Sequence, residues 1–205
     1  MAAPPLMAPS VREPFANGGN AGSNKVPQSR ALYKIFQLEH NRLVDQFKNQ
    51  NPDWDVETLF EEARRWNIAF FQKITSREYL ASVLGKPLPP YTGWNSTIDP
   101  GPPNIVTFTG LRYGHFVTVP LVSRLNKDLQ SIPEGPLLLR DVYFQESKWI
   151  HQGIEPVIRG MVNQLEGSGN YAVDDIRNYL FGYPNLGSDL ITTNIMVNIV
   201  VRYHY

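Results

Sequence analysis

The sequence predicts a mainly α fold. Three observations carry this: most periodic stretches space their apolar residues three and four apart, helix start and stop residues bracket them, and strand-like runs are few. Residues 1–27 are rich in Pro, Gly, Asn and Ala, with Gly18 to Asn24 as a turn cluster, and read as a flexible lead-in. A helix is expected over about 28–49, with Leu32, Phe36, Leu43 and Phe47 on its apolar stripe and His40 beside it as a hydrogen-bonded boundary histidine. Asn51-Pro52-Asp53-Trp54-Asp55 forms a turn that offers an aspartate cap. A second helix follows to about Leu84, burying Leu59, Ala63, Trp66, Phe70 and Ile74, until Gly85 and Pro87 stop it. Its Glu61, Glu62, Arg64 and Arg65 read as a solvated face.

The stretch 87–103 contains Pro87, Pro89, Pro90, Pro100, Pro102 and Pro103, so it must be irregular; a rigid linker competes with a long ordered loop, and Tyr91 and Trp94 favour packing on the core. The next helix is expected over about 104–126, kinked by Pro120. Shorter helices are expected at about 154–166 and 173–181. Strand character is confined to about 137–144 and to the ambiguous tail 191–205.

At 205 residues the chain can hold one domain with a sizeable core. Its 19 basic and 19 acidic residues cancel and do not cluster, which argues against a nucleic-acid partner. With no cysteine, disulfides, thiolate nucleophiles and zinc ribbons are excluded. The opening residues lack the cationic start and apolar core of a signal peptide, and no run approaches a membrane span, so a soluble chain without its own export signal is expected. Asn95-Ser96-Thr97 is a glycosylation sequon of the kind found in secreted loops, although such triplets also arise by chance.

The chemistry concentrates at Leu111-Arg112-Tyr113-Gly114-His115. On a helix, Phe108, Leu111, Arg112, His115 and Val119 share one face, which offers an imidazole, a cation one turn away and otherwise apolar surface. A haem asks for that combination: a nitrogen for iron, a charge for a propionate and apolar contacts for the porphyrin. Taken alone, His115 fits a hydrogen-bonded core histidine as well.

Arg112-Tyr113-Gly114-His115, with Pro120 and Arg124-Leu125 beyond, closely resembles the proximal helix of the animal haem peroxidases, the myeloperoxidase-like superfamily. Glu39-His40-Asn41-Arg42, Asn51 to Trp54, Leu59 to Arg64, and Gln72 to Gly85 are similar to the preceding helices of that family. Gly153 to Pro156, Asp175 to Gly182, and Asp189-Leu190 with Asn194 are similar to its last helices. Together these motifs run from about residue 12 to residue 195. Within the family, Lys86 to Gly93 and the Gly19-Asn20 and Pro27 spacing look most like the peroxidase-homology domain of dual oxidases.

The resemblance implies an irregular helical haem-peroxidase-like domain, incomplete, over residues 28–205. It implies haem b as cofactor, with His115 as the iron ligand, Asn194 bonded to the other ring nitrogen, and Arg112 paired with a propionate. The implied partners are hydrogen peroxide and small electron donors. A membrane tether or NADPH-oxidase region is expected only in a longer parent protein, and an extracellular or membrane-associated ectodomain is the implied location.

The sequence also departs from the family. The distal histidine of the family falls upstream of this chain's start, Gly22 stands at the distal arginine position, and Lys25 stands where a glutamate esterifies a haem methyl. After Asn194 the match stops, as in a truncated or alternatively spliced product. Two readings follow: a haem-dependent peroxidase, or its proximal-side fragment; and a peroxidase-like interaction or regulatory domain without turnover. A third is an incomplete product with no stable fold of its own.

Overall fold

The computed structural model describes residues 25–103, 106–107, 113–169 and 171–181. It is mostly helical with few strands, as the sequence predicts, and it divides into two compact units: residues 1–33 with 101–205, and residues 34–100.

In the unit formed by residues 34–100, α1 (Pro27–Gln50) and α2 (Val56–Lys73) lie against each other around Leu43, Leu59 and Ala63, all buried. Aromatic edges extend this seam: Phe36 meets Phe71 at 5.4 Å between ring centroids, and Phe47 meets Trp54 and Trp66 at 6.2 and 6.3 Å. Asn67 clips the pair by donating to the Phe36 carbonyl at 2.9 Å. The start of α2 follows from its cap, since the Asp55 carboxylate accepts the Thr58 N–H at 2.7 Å. That bond holds the Asp55 carboxyl below its ordinary range.

The apolar faces of these helices are narrower than the periodicity predicts. Within α1, Leu32 is exposed, and within α2 and its continuation so are Trp66 and Ile74. The helix beyond α2 is also not uniform: Ile74–Tyr79 is a π-helical stretch, followed by α3 (Leu80–Leu84) and the left-handed Gly85. Ser76 and Ser82 turn their hydroxyls back onto the carbonyls of Gln72 and Glu78, at 2.8 and 3.0 Å. Such bonds compete for backbone acceptors and favour a widened turn. Glu61–Arg64 and Glu62–Arg65 are ion pairs one turn apart on the solvated face, as expected.

The other unit is built on turns rather than long helices. Its core joins Ala31, Val122, Leu139, Val142, Tyr143, Phe144, Trp149, Ile154, Val157, Ile176 and Leu180. At its edge Arg30, in the first turns of α1, donates from Nε to Glu146 at 2.7 Å, and both side chains are buried. Among the described residues the 104–126 helix of the sequence reading does not run through to 126: Val106 and Thr107 are helical, and so is α4 (Gly114–Val117), which holds His115. Thr118 then turns extended (φ −65°, ψ 139°), and β1 (Leu121–Val122) pairs antiparallel with β2 (Leu137–Leu138). Pro120 accounts for the break, because a proline drives the residue before it out of the helical region, and the β-branched run Val117-Thr118-Val119 adds to that preference.

The loop between the strands is held by side chains. Asn126 accepts the N–H groups of Asp128 and Gln130, and the buried Arg124 donates to the Gly135 and Glu134 carbonyls and to Gln152. Short 3-10 turns at 139–141, 146–148 and 150–152 lead to α5 (Glu155–Asn163), and α6 (Asp174–Arg177) follows. Both end earlier than predicted. The tail 191–205 lies outside the described residues.

Candidate haem-ligand site

His115 lies in α4, a single turn of helix that would not persist alone. The chain around it supplies the restraint. Phe116 N–H bonds the Tyr113 carbonyl at 2.9 Å, and the Thr118 hydroxyl bonds the Gly114 carbonyl at 2.6 Å. The last carbonyl of α4, on Val117, accepts the Gly167 N–H at 2.7 Å. That approach is close, since a Cβ at Gly167 would stand 3.2 Å from the same oxygen and push it back by a few tenths of an ångström. Beyond α4 the Pro120 carbonyl accepts the Leu139 N–H at 2.8 Å, so both the turn and the strand after it are tied down.

The partner of this segment is α5. Leu125 N–H bonds the Pro156 carbonyl at 3.0 Å, and Arg159 donates to the Leu125 carbonyl at 3.2 Å. Gln164 takes the Ser123 N–H on its carbonyl oxygen at 3.0 Å and donates to the Leu121 carbonyl at 2.7 Å. Gly160 sits where α5 touches Ser123; a Cβ there would fall 1.9 Å from the Ser123 carbonyl oxygen. Sequence reasoning missed Gly160, Gln164 and Gly167 as positioning residues. A lone glycine in a helical stretch was the only signal, and only for Gly160; it does not name its partner.

A second brace links the 139–141 turn to α6. Arg140 binds the buried Asp175 carboxylate, stacks over Tyr179 at 4.5 Å, and is held above the usual arginine range by Asp175. Tyr143 donates its hydroxyl to the Asp175 carbonyl at 3.1 Å, and burial pushes its phenol well above the ordinary value.

Of the residues singled out from sequence, His115 is described and half-buried. Arg112, Asn194 and Gly22 lie outside the described residues, as do Phe108 and Leu111, while Val119 falls after α4 has ended. Lys25 is exposed, its ammonium 5.4 Å from the Phe181 ring centre. His40 is a boundary histidine as expected, with Nε2 at 3.3 Å from the Phe60 carbonyl oxygen.

The donor chemistry fits one axial position on a haem iron. Nδ1 of His115 is shut away from solvent while the residue as a whole is half-exposed, so the ring is seated by one nitrogen rather than engulfed. Among the described residues no three His, Cys, Asp or Glu side chains converge, so a free metal ion would find no cage there; a porphyrin brings four of its own nitrogens and needs only one.

A family model described as animal haem peroxidase matches residues 5–198. The chain is 35% identical to thyroid peroxidase of Mus musculus over 195 residues, covering 90% of this chain and 21% of that protein. It is 35% identical to myeloperoxidase of Homo sapiens over 197 residues, covering 91% of this chain and 26% of that protein. Among solved structures it resembles peroxidase A from Dictyostelium discoideum, with a TM-score of 0.77 and 32% identity over 82% of this chain and 32% of that one. The chain thus spans between a fifth and a third of the length of these relatives.

Proposed function

The chain belongs to the animal haem peroxidase family, and from that premise we propose that it forms the proximal side of a peroxidase haem site with His115 as the iron ligand. The observation that carries this is the seating of His115: a half-exposed imidazole with Nδ1 buried, on a turn fastened at Val117 by Gly167. Asn194 accepts from the second ring nitrogen and so fixes the tautomer that offers its lone pair to iron. Arg112 pairs with a propionate. Haem b, when bound, supplies the redox chemistry by which hydrogen peroxide oxidises small electron donors.

The protein's own part in this is positional. Gly167 ties α4 down at Val117, Gly160 and Gln164 hold the Leu121 to Ser123 segment that follows it, and Arg140–Asp175 braces α6. An extracellular or membrane-associated setting belongs to the same proposal, as does the dual-oxidase likeness of Lys86 to Gly93. No helix among the described residues is long and apolar enough to cross a membrane.

A second reading is favoured by Gly22. Peroxide cleavage calls for a cation on the distal side, and glycine at the family's arginine position supplies none, which suits an interaction or regulatory domain without turnover. Loading the chain with haemin and measuring peroxide-dependent oxidation of a chromogenic donor, beside His115→Ala, separates the two. Turnover lost in His115→Ala supports the enzyme reading; haem uptake without turnover in the wild type supports the second.

A further inference from the structure

Asn95-Ser96-Thr97 is the chain's single Asn-x-Ser/Thr triplet, and it lies in the proline-bounded stretch between α3 and residue 103. The sequence reading expected Tyr91 and Trp94 to pack this stretch onto the core. Instead they are 74% and 83% exposed, and every residue from Pro89 to Pro103 is open to solvent. Prolines on either side deny the stretch a strand or helix of its own, and Asn95 to Ile98 folds into a tight turn closed by the Ile98 N–H on the Asn95 carbonyl at 3.3 Å.

Inside that turn the Asn95 side-chain oxygen Oδ1 accepts two hydrogen bonds from Thr97, from its backbone N–H at 2.9 Å and from its hydroxyl at 2.7 Å. Both fall on the amide oxygen, so the nitrogen is not the atom engaged in the turn. They also stabilise negative charge on Oδ1, which is where charge accumulates if the nitrogen gives up a proton. An amide nitrogen is otherwise a poor nucleophile, because its lone pair is delocalised onto that oxygen.

We propose that Asn95 is a site of N-linked glycosylation, the donor being an oligosaccharide carried on a lipid diphosphate. Nδ2 forms a bond to the anomeric carbon of the first sugar, and the bond from that carbon to the diphosphate oxygen breaks. The lipid diphosphate departs with the electron pair and the nitrogen loses one proton; no oxidant or reductant is involved. The exposed faces of Trp94 and Ile98 flank the acceptor and give the apolar side of the first sugar a surface to cover.

The test expresses the full chain behind a secretion leader in eukaryotic cells. The leader supplies the route, so the outcome is independent of haem binding. A glycosidase that removes N-linked glycans is expected to collapse the secreted protein by a single mobility step, with Asn95 recovered as aspartate in its peptide by mass spectrometry. Asn95→Gln and Thr97→Ala run at the collapsed position, while Thr97→Ser keeps part of the upper band. Should the variants fail to be secreted, peptide mapping of the wild type decides alone. A secreted wild-type chain whose Asn95 peptide is wholly unmodified overturns the proposal.

Discussion

Arg140 donates three hydrogen bonds to the carboxylate of Asp175, from its backbone N–H at 2.8 Å and from Nε and Nη2 at 3.1 and 2.8 Å, and Asp175 is 0% exposed. Removing the carboxylate leaves three donors unpaired beside the core. Asp175→Ala is expected to cost about 3 kcal/mol in urea unfolding, the lower end for a broken buried pair, because part of Arg140 reaches solvent. Arg177→Ala, which removes the exposed partner of Asp174, is expected to leave the midpoint unchanged. Equal midpoints for Asp175→Ala and the wild type would show that the brace carries no stability.

Gly160→Ala is expected to be worse than a helix-propensity scale suggests. Alanine favours the helix, yet the added methyl would meet the Ser123 carbonyl, a backbone atom that cannot step aside without dragging the strand segment with it. A loss of about 2–3 kcal/mol is predicted by thermal or urea unfolding, as for other overpacked sites. Gly114→Ala is the control, since a Cβ there meets nothing within 4 Å. If Gly160→Ala proves as stable as Gly114→Ala, α5 does not dock on Ser123 as described.

Tyr143 makes the fold sensitive to alkali. Burial holds its phenol above the ordinary value, so the fold favours the protonated form. Its contribution is therefore complete below the unfolded tyrosine pKa and falls away as pH climbs from there towards the folded value. Tyr143→Phe is expected to lose about 1 kcal/mol near neutrality with the hydrogen bond to Asp175, and to show a shallower decline of stability above pH ~10. Parallel wild-type and Tyr143→Phe curves in alkali would remove Tyr143 as the cause.

Elements whose order rests on local patterning were legible in the sequence. α1 was legible from its periodicity, the start of α2 from its aspartate cap, and the end of α3 from the glycine stop at Gly85. The neighbourhood of His115 was not, because a proline marks a kink and a helix end alike, and here the helical turn stops at Val117 and a strand begins at Leu121. What holds that turn comes from Gly167, and what holds the strand segment after it comes from Gly160 and Gln164, all distant in sequence, and such pairings leave no periodic trace. The exposure of Tyr91 and Trp94 goes against the packed loop, one of the two readings of their stretch, because an aromatic residue in a proline-rich segment carries no sign of whether core lies within its reach. The imidazole itself was found from the motif around it. Arg112 and Asn194, which complete the proposed constellation, lie outside the described residues.

The most direct measurement of the central claim is the Soret absorption of the purified chain titrated with haemin, beside His115→Ala and the surface control Arg177→Ala. His115 as iron ligand predicts a saturable Soret shift in the wild type that His115→Ala lacks and that added imidazole restores, with the helical circular dichroism of His115→Ala unchanged. An identical Soret shift in the wild type and His115→Ala would contradict it.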